Sequence, residues 1–222
     1  MPQLDLVVLD YDESTVENTF DFYEAYCQAL KTYGVACPSY EEFIDLLSGN
    51  ALHEKIPGTT TQEEFWKLFR RIYPSRHSWV KRGLKEFLIA LNSFSVKVVV
   101  ISGRETPSQV IWQDIRKHGL EDYISNVYTL FDLAVMGGNE EFLFDKSYLI
   151  KLAKRKYGKG KVHVCIGDYV TDYYSCARTG GIFIGVNSIP ARNGVLRKVG
   201  VQFVATDFFE VLLILSKIGL LS

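Results

Sequence analysis

The sequence predicts an α/β protein built on an open parallel sheet, with one helical segment inserted near its start. Three observations predict it. Short, β-branched apolar runs recur without strict apolar/polar alternation, as strands do when both faces of a sheet are covered. Between the later runs lie segments of helical period, and strands alternating with helices give parallel pairs joined by right-handed crossovers. Between about Val16 and Pro74 no strand-like run occurs, and the apolar pattern is helical throughout.

The first run, Leu4–Leu9, predicts a buried strand that ends in Asp10-Tyr11-Asp12-Glu13. Three helices follow: Phe20–Tyr33 ending at Gly34, Ser39–Leu47, and Thr61–Tyr73, where Thr61 and Glu64 have the spacing of a capping box. Lys81–Leu91 carries Leu84, Phe87, Leu88 and Leu91 at helical spacing, and a second strand is expected over Val96–Ile101. Thr106-Pro107 reads as the cap and first turn of a helix that Gly119 ends after His118. Further strands are expected over 126–130, 162–166, 182–186 and 201–205. Helices Lys146–Tyr157 and Thr171–Thr179 flank the 162–166 strand and end at glycines. The C-terminal FFEVLLILSKIGLLS is interrupted by Glu210 and Lys217 and is too short for a bilayer span, so it is expected to pack on the core. The domain division is therefore 1–15 with 81–222 for the α/β part and 16–80 for the insertion.

A chain of 222 residues, 47% hydrophobic and 23% charged, has the composition of a globular domain with a substantial core. A net charge of −1 offers no electrostatic footing for nucleic acid or an anionic membrane, so neither is an expected partner. The insertion gives none either, with nine acidic and nine basic residues over 15–85. Cys27, Cys37, Cys165 and Cys176 lack CxxC or zinc spacing and read as reduced, buried thiols, which points to the cytoplasm. Asp5 and Asp10 interrupt the first apolar run, so no signal peptide is expected there. The chain is expected to act as a monomer or a homodimer, the latter through Leu220 and Leu221.

Ligands of open parallel sheets bind beyond the carboxyl ends of the strands. There this sequence places Asp10 and Asp12, then Ser102 and Gly103, then Gly167-Asp168 with Asp172 one helical turn on, and Lys146 opens the helix before that last strand. Clustered carboxylates suit a hard divalent cation, Mg²⁺ where phosphate completes the shell. A carboxylate can also be a nucleophile, and a second acid can protonate a leaving oxygen. Ser102 Oγ, the Gly103 amide and Lys146 could hold phosphoryl oxygens. Arg104 is a further pocket candidate. Tyr169, Tyr173 and Tyr174 read mainly as packing, as do His163 and Cys165. Arg70, Arg71, Arg76, Lys81 and Arg82 read mainly as a solvated face.

In this order the four motifs resemble those of the haloacid-dehalogenase superfamily of phosphohydrolases, with the insertion resembling its small helical cap. The resemblance spans nearly the whole core: Asp10-Tyr11-Asp12-Glu13-Ser14, Ile101-Ser102, Lys146, and Gly167-Asp168 through Asp172. It implies a Rossmann-like fold and a Mg²⁺-dependent phosphatase, of the phosphoglycolate or phosphoserine phosphatase kind, that acts on a small phosphorylated metabolite through an aspartyl-phosphate. It implies Asp10 as nucleophile and metal ligand, Asp12 as general acid/base and metal ligand through its carbonyl, and Asp168 and Asp172 as metal-site carboxylates. Ser102, Gly103 and Lys146 would bind phosphate. A phosphomutase, a dehalogenase or a non-catalytic phosphate-binding protein on the same fold are the alternatives. Glu13 replaces a frequent glycine, and it is expected to point to solvent or shape the hinge into the cap. No proline follows Lys146, which leaves Lys151 and Lys154 as alternatives for the third motif.

Overall fold

The computed structural model describes residues 4–73 and 76–221. Strand β1 (Leu4–Leu9) is buried at every position and starts the sheet. A two-residue strand β2 (Val16–Glu17) leads into helices α1 (Thr19–Thr32), α2 (Tyr40–Ser48) and α3 (Gln62–Ile72), and β3 (Trp79–Val80) leads out. The remainder alternates: α4 (Leu84–Ser93), β4 (Lys97–Ser102), α5 (Ser108–Lys117), β5 (Asn126–Thr129), α6 (Leu130–Val135) and α7 (Ser147–Tyr157). It finishes with β6 (Val162–Gly167), α8 (Val170–Ala177), β7 (Ile182–Val186), α9 (Pro190–Lys198), β8 (Phe203–Ala205) and α10 (Phe208–Lys217).

Six strands form one parallel sheet in the order β5-β4-β1-β6-β7-β8. The chain runs outward from β1 through β4 to β5 and then returns to β6 on the other side of β1. The strand order thus reverses at β1, where crevices open in such sheets. Register puts Leu9 beside Val100 and Ile166, so Asp10 leaves the sheet level with the ends of β4 and β6. The Asp10 amide still donates to the Ile166 carbonyl at 2.8 Å.

Alternate residues of β1 feed two cores. Val7 and Leu9 pack with Phe87, Ile111, Phe208 and Val211, from the helices of one face. Leu6 and Val8 pack with Leu133, Leu149, Ala153 and Cys176 on the other. The insertion has an apolar cluster of its own, including Tyr26, Phe43, Phe65, Trp66 and Phe69, and Leu143 and Phe144 pack against it from the loop before α7. The expected capping box of Thr61 and Glu64 opens α3.

Several expectations are corrected. The stretch after Val16 does contain a strand: Val16 pairs with Val80 and Glu17 with Trp79 in an antiparallel ladder too short to show a period in sequence. The Lys81 amide extends this neck by donating to Thr15 O at 3.1 Å. Thr106 does not cap α5, whose N-cap is Pro107, and its carbonyl instead accepts from Thr129 Oγ. Helices α6 and α9 had no sequence counterpart. Cys27 and Cys37 are not reduced thiols but joined to each other, because the turn at Gly34, in the left-handed region at φ 73°, folds the chain back until their Cα atoms are 4.8 Å apart. Cys165 and Cys176 are free and buried. Arg70 is not solvated but buried, donating to Glu105 and Glu140 at 2.8 Å. Leu220 and Leu221 are buried within the chain. No described helix is long and apolar enough to cross a membrane.

Candidate active site

Beyond the carboxyl end of the sheet lies a cavity of about 400 Å³ between the α/β part and the insertion. β1 delivers Asp10 to its floor, β6 delivers Asp168 and the first turn of α8 delivers Asp172. Carboxylate oxygens of these three lie within 4.8 Å of one another, and all three residues are buried. Lys146, at the N-cap of α7, pairs with Asp10 through Nζ and with Asp172 at 2.7 Å. Ser14 Oγ bridges Asp10 Oδ2 at 2.8 Å and Asp168 Oδ1 at 2.9 Å. Arg192, from α9, holds the other oxygen of Asp168 at 2.8 Å.

Burial is the main cause that pushes Asp10 up to about 6; Asp172 and Asp12 add to it and Lys146 opposes it. Asp168 and Asp172 are raised as well, again chiefly by burial, against Arg192 and Lys146 respectively. Burial would lower Lys146, but the two carboxylates outweigh it and hold the ammonium charged.

Asp12 lies apart from this trio. Arg104 donates to both its oxygens, from Nε at 3.1 and 3.0 Å and from Nη2 at 2.5 Å. Asn18 Nδ2 at 2.6 Å and Ser102 Oγ at 3.1 Å complete its shell. Burial works to raise Asp12, yet the Arg104 guanidinium and these hydrogen bonds prevail and hold it below the usual carboxylate range. The ring of Tyr73 covers Arg104, its centroid 4.4 Å from the guanidinium carbon. Tyr11 turns the other way, donating to Asp114 at 2.5 Å, and so anchors the loop from beneath.

Two glycines are fixed by contact. A Cβ on Gly167 would lie 2.7 Å from Asp172 Cβ, and one on Gly103 would lie 3.0 Å from the Phe144 ring. Gly167 thus lets Asp172 close over β6, and Gly103 lets Phe144 approach the cavity wall.

Of the two expectations for Glu13, solvent is corrected and the shaping of the hinge agrees with the structure. Glu13 is 5% exposed, not in solvent. Its φ of 59° is the left-handed conformation that favours glycine. Its carboxylate accepts from the Asn18 amide at 3.0 Å and from Thr19 Oγ at 2.8 Å, so it ties the β1 loop to the start of α1. Burial first, then Asp168, push it up to about 7 against Lys81.

The structure therefore brings Asp10, Lys146, Asp168 and Asp172 together, and sets Asp12 and Ser102 beside them under Arg104. Tyr169 and Gly103 line the cavity. Lys151 is exposed, and Lys154 donates to Thr179 O at 2.8 Å, away from the site. Sequence reasoning missed Arg192, on an unforeseen helix with no motif around it. It also assigned no role to Ser14, although the residue stood within the first motif.

No family model and no curated protein matches the sequence. Solved structures do. A haloacid-dehalogenase-like family hydrolase of Streptococcus pneumoniae aligns with a TM-score of 0.69 at 14% identity, over 95% of this chain and 97% of its own. A predicted phosphoglycolate phosphatase of Haemophilus somnus aligns with a TM-score of 0.65 at 19% identity, over 96% and 99%. A predicted phosphatase of Clostridium acetobutylicum aligns with a TM-score of 0.69 at 14% identity, over 94% and 96%. At these identities the likeness is one of fold.

Proposed function

We propose that this chain, whose fold is haloacid-dehalogenase-like, is a Mg²⁺-dependent phosphatase that hydrolyses a small phosphorylated metabolite through an aspartyl-phosphate on Asp10. One observation carries the reading. Asp10 stands at the strand-order reversal, its carboxylate oxygens shared between Lys146 and Ser14, on the floor of a substrate-sized cavity.

The donor set fits a divalent cation. Three buried carboxylates within 4.8 Å offer only oxygen and are raised in pKa, so a hard cation would relieve a repulsion that Lys146 and Arg192 offset in part. Asp10, Asp168 and Asp172 would hold it, with the Asp12 carbonyl as a further donor. When bound it supplies charge compensation for the phosphoryl oxygens.

The protein's residues then divide the work. Lys146 orients Asp10 for in-line attack on phosphorus and meets a phosphoryl oxygen. The Asp10 oxygen bonds to phosphorus as the bond to the leaving oxygen breaks. Asp12 supplies the proton to that oxygen, then takes one from the water that cleaves the acyl phosphate and frees Asp10. In the resting arrangement Arg104 saturates Asp12. Transfer of Arg104 to the incoming phosphoryl group, alongside Ser102 and the Gly103 amide, raises Asp12 toward a proton-carrying pKa. The same reading takes residues 16–80 as a cap over a core of 1–15 and 81–222.

Purified protein is expected to hydrolyse p-nitrophenyl phosphate with Mg²⁺, and EDTA or Asp10→Asn to abolish turnover. Activity that survives Asp10→Asn sinks the mechanism. We place the protein in the cytoplasm, on the free Cys165 and Cys176 thiols; the Cys27–Cys37 bond weighs against it. Alkylation of chain taken directly from cells reads which state prevails.

A further inference from the structure

The cavity is built unevenly. Its floor is charged, but each cation there already faces a carboxylate: Lys146 faces Asp10 and Asp172, Arg192 faces Asp168, and Arg104 faces Asp12. Its roof and walls are apolar. The insertion contributes Phe22, Leu47, Leu52, Trp66, Phe69 and Tyr73, and the loop before α7 adds Leu143 and Phe144. Among the described lining residues the insertion supplies no lysine or arginine, and its polar groups there are Asn50, His53, Gln62, the Trp66 indole N–H and the buried Tyr73 hydroxyl, too few to serve a row of hydroxyls. His53 and Gln62 are exposed, at the mouth. The Asn50 Oδ1 accepts from the Tyr169 hydroxyl.

The aromatic walls are preassembled. Trp66 meets Phe69 edge-on at 5.2 Å between centroids and Phe144 at 6.0 Å. Phe69 meets Tyr73 edge-on at 5.2 Å and lies 4.9 Å from Phe22. Trp66, Phe69 and Tyr73 are 8%, 4% and 7% exposed, so they hold their places without a ligand. Rings fixed in this way recognise flat apolar groups at little ordering cost. A second anion on the substrate would be desolvated against them with no cation to meet it, and a row of hydroxyls would leave its hydrogen bonds unmade.

We infer that the group esterified to the phosphate is apolar and of aromatic bulk, so that the substrate is an aryl or hydrocarbon-rich monophosphate and not a phosphorylated acid or sugar. The inference rests on the reading that the phosphoryl group sits at Asp10. It gives the cap wall a task that the phosphoryl chemistry does not require of it.

The test is equilibrium binding, which does not depend on turnover. In the presence of Mg²⁺, isothermal titration of the full chain compares benzylphosphonate with phosphonoacetate, two non-hydrolysable probes that differ in the body attached to phosphorus. Benzylphosphonate is expected to bind at least fivefold tighter. A smaller ratio, or no binding of benzylphosphonate, overturns the inference. Trp66→Leu is expected to weaken benzylphosphonate at least fivefold while the affinity for inorganic phosphate stays within twofold. Equal weakening of both probes overturns it, and if the variant does not fold, the wild-type ratio decides. Failure of the phosphatase reading shows separately, as absent hydrolysis of p-nitrophenyl phosphate with the binding ratio intact.

Discussion

At the scale of single residues, the site depends on neighbours that have no functional group to offer. Gly167 is the clearest. Any side chain there collides with Asp172 at 2.7 Å. Gly167→Ala is expected to displace that carboxylate and to raise the Mg²⁺ concentration for half-maximal activity roughly tenfold, as loss of an outer-shell support does elsewhere; a Mg²⁺ titration reads it. Arg104 is the second case, because it lowers Asp12 by direct pairing. With Arg104→Gln the carboxylate loses its counter-charge, so its pKa rises. The limb of the kcat/KM–pH profile that belongs to Asp12 is expected to move up by about 1 unit or more. The four acids were legible because each ends or follows a recognisable strand, and Lys146 because it opens the helix that leads into one. Arg192 was not, since a lone arginine on an unpatterned helix carries no local signal and reaches Asp168 only through the fold. Glu13 was read in half: its place between β1 and the insertion marked the hinge, but not its burial. Its charge suggested water, whereas two hydrogen bonds at the start of α1 and a left-handed backbone hold it inside.

At the scale of elements, the six sheet strands could be read because runs buried on both faces have a plain composition. The pair β2 and β3 could not, since two residues define no period and their partner is more than sixty positions away in the chain. Helix α3 was read from its capping box, but its role in joining the two parts was hidden on the charged side taken as solvated. There Arg70 is 1% exposed, bridges Glu105 and Glu140 from the loops after β4 and before α7, and lies over the Phe144 ring at 4.8 Å. Replacing it with methionine keeps the packing and leaves two partly wetted glutamates without a partner. Arg70→Met is expected to cost about 2–3 kcal/mol, below the range for fully buried pairs, in urea denaturation. It is also expected to raise KM more than it lowers kcat, because the insertion is then held less firmly over the cavity.

At the scale of the whole molecule, the interior sets a pH response apart from the active site. His163, a buried residue of β6 whose Nε2 lies 2.9 Å from Thr179 Oγ, is pushed down to about 4, by burial first and Lys154 second. Its folded pKa is depressed below that of the unfolded chain, so protonation favours unfolding. The stability it contributes is complete above about pH 6.5, falls as pH drops toward 4, and is constant below that. The loss amounts to about 2 kcal/mol at pH 5. It is measured as the difference in the pH slope of unfolding free energy between the wild type and His163→Gln. The variant is expected to lack the steep segment between pH 6.5 and 4. An unchanged slope refutes the assignment.

The two-residue ladder at the neck has one more consequence, for the engineering of the chain. Because Glu17 lies directly across from Trp79, the insertion leaves and returns through neighbouring positions. A two-residue Asn-Gly turn is the length that joins adjacent antiparallel strands, so it could splice Glu17 to Trp79 and bypass everything between. The chain would then pass from β1 through the β2–β3 hairpin directly into α4 and the rest of the α/β part. The roof of the cavity is in this sense an exchangeable module: a differently lined one, grafted at the same neck but keeping Asn18 and Thr19 for Asp12 and Glu13, would give the same floor another diet.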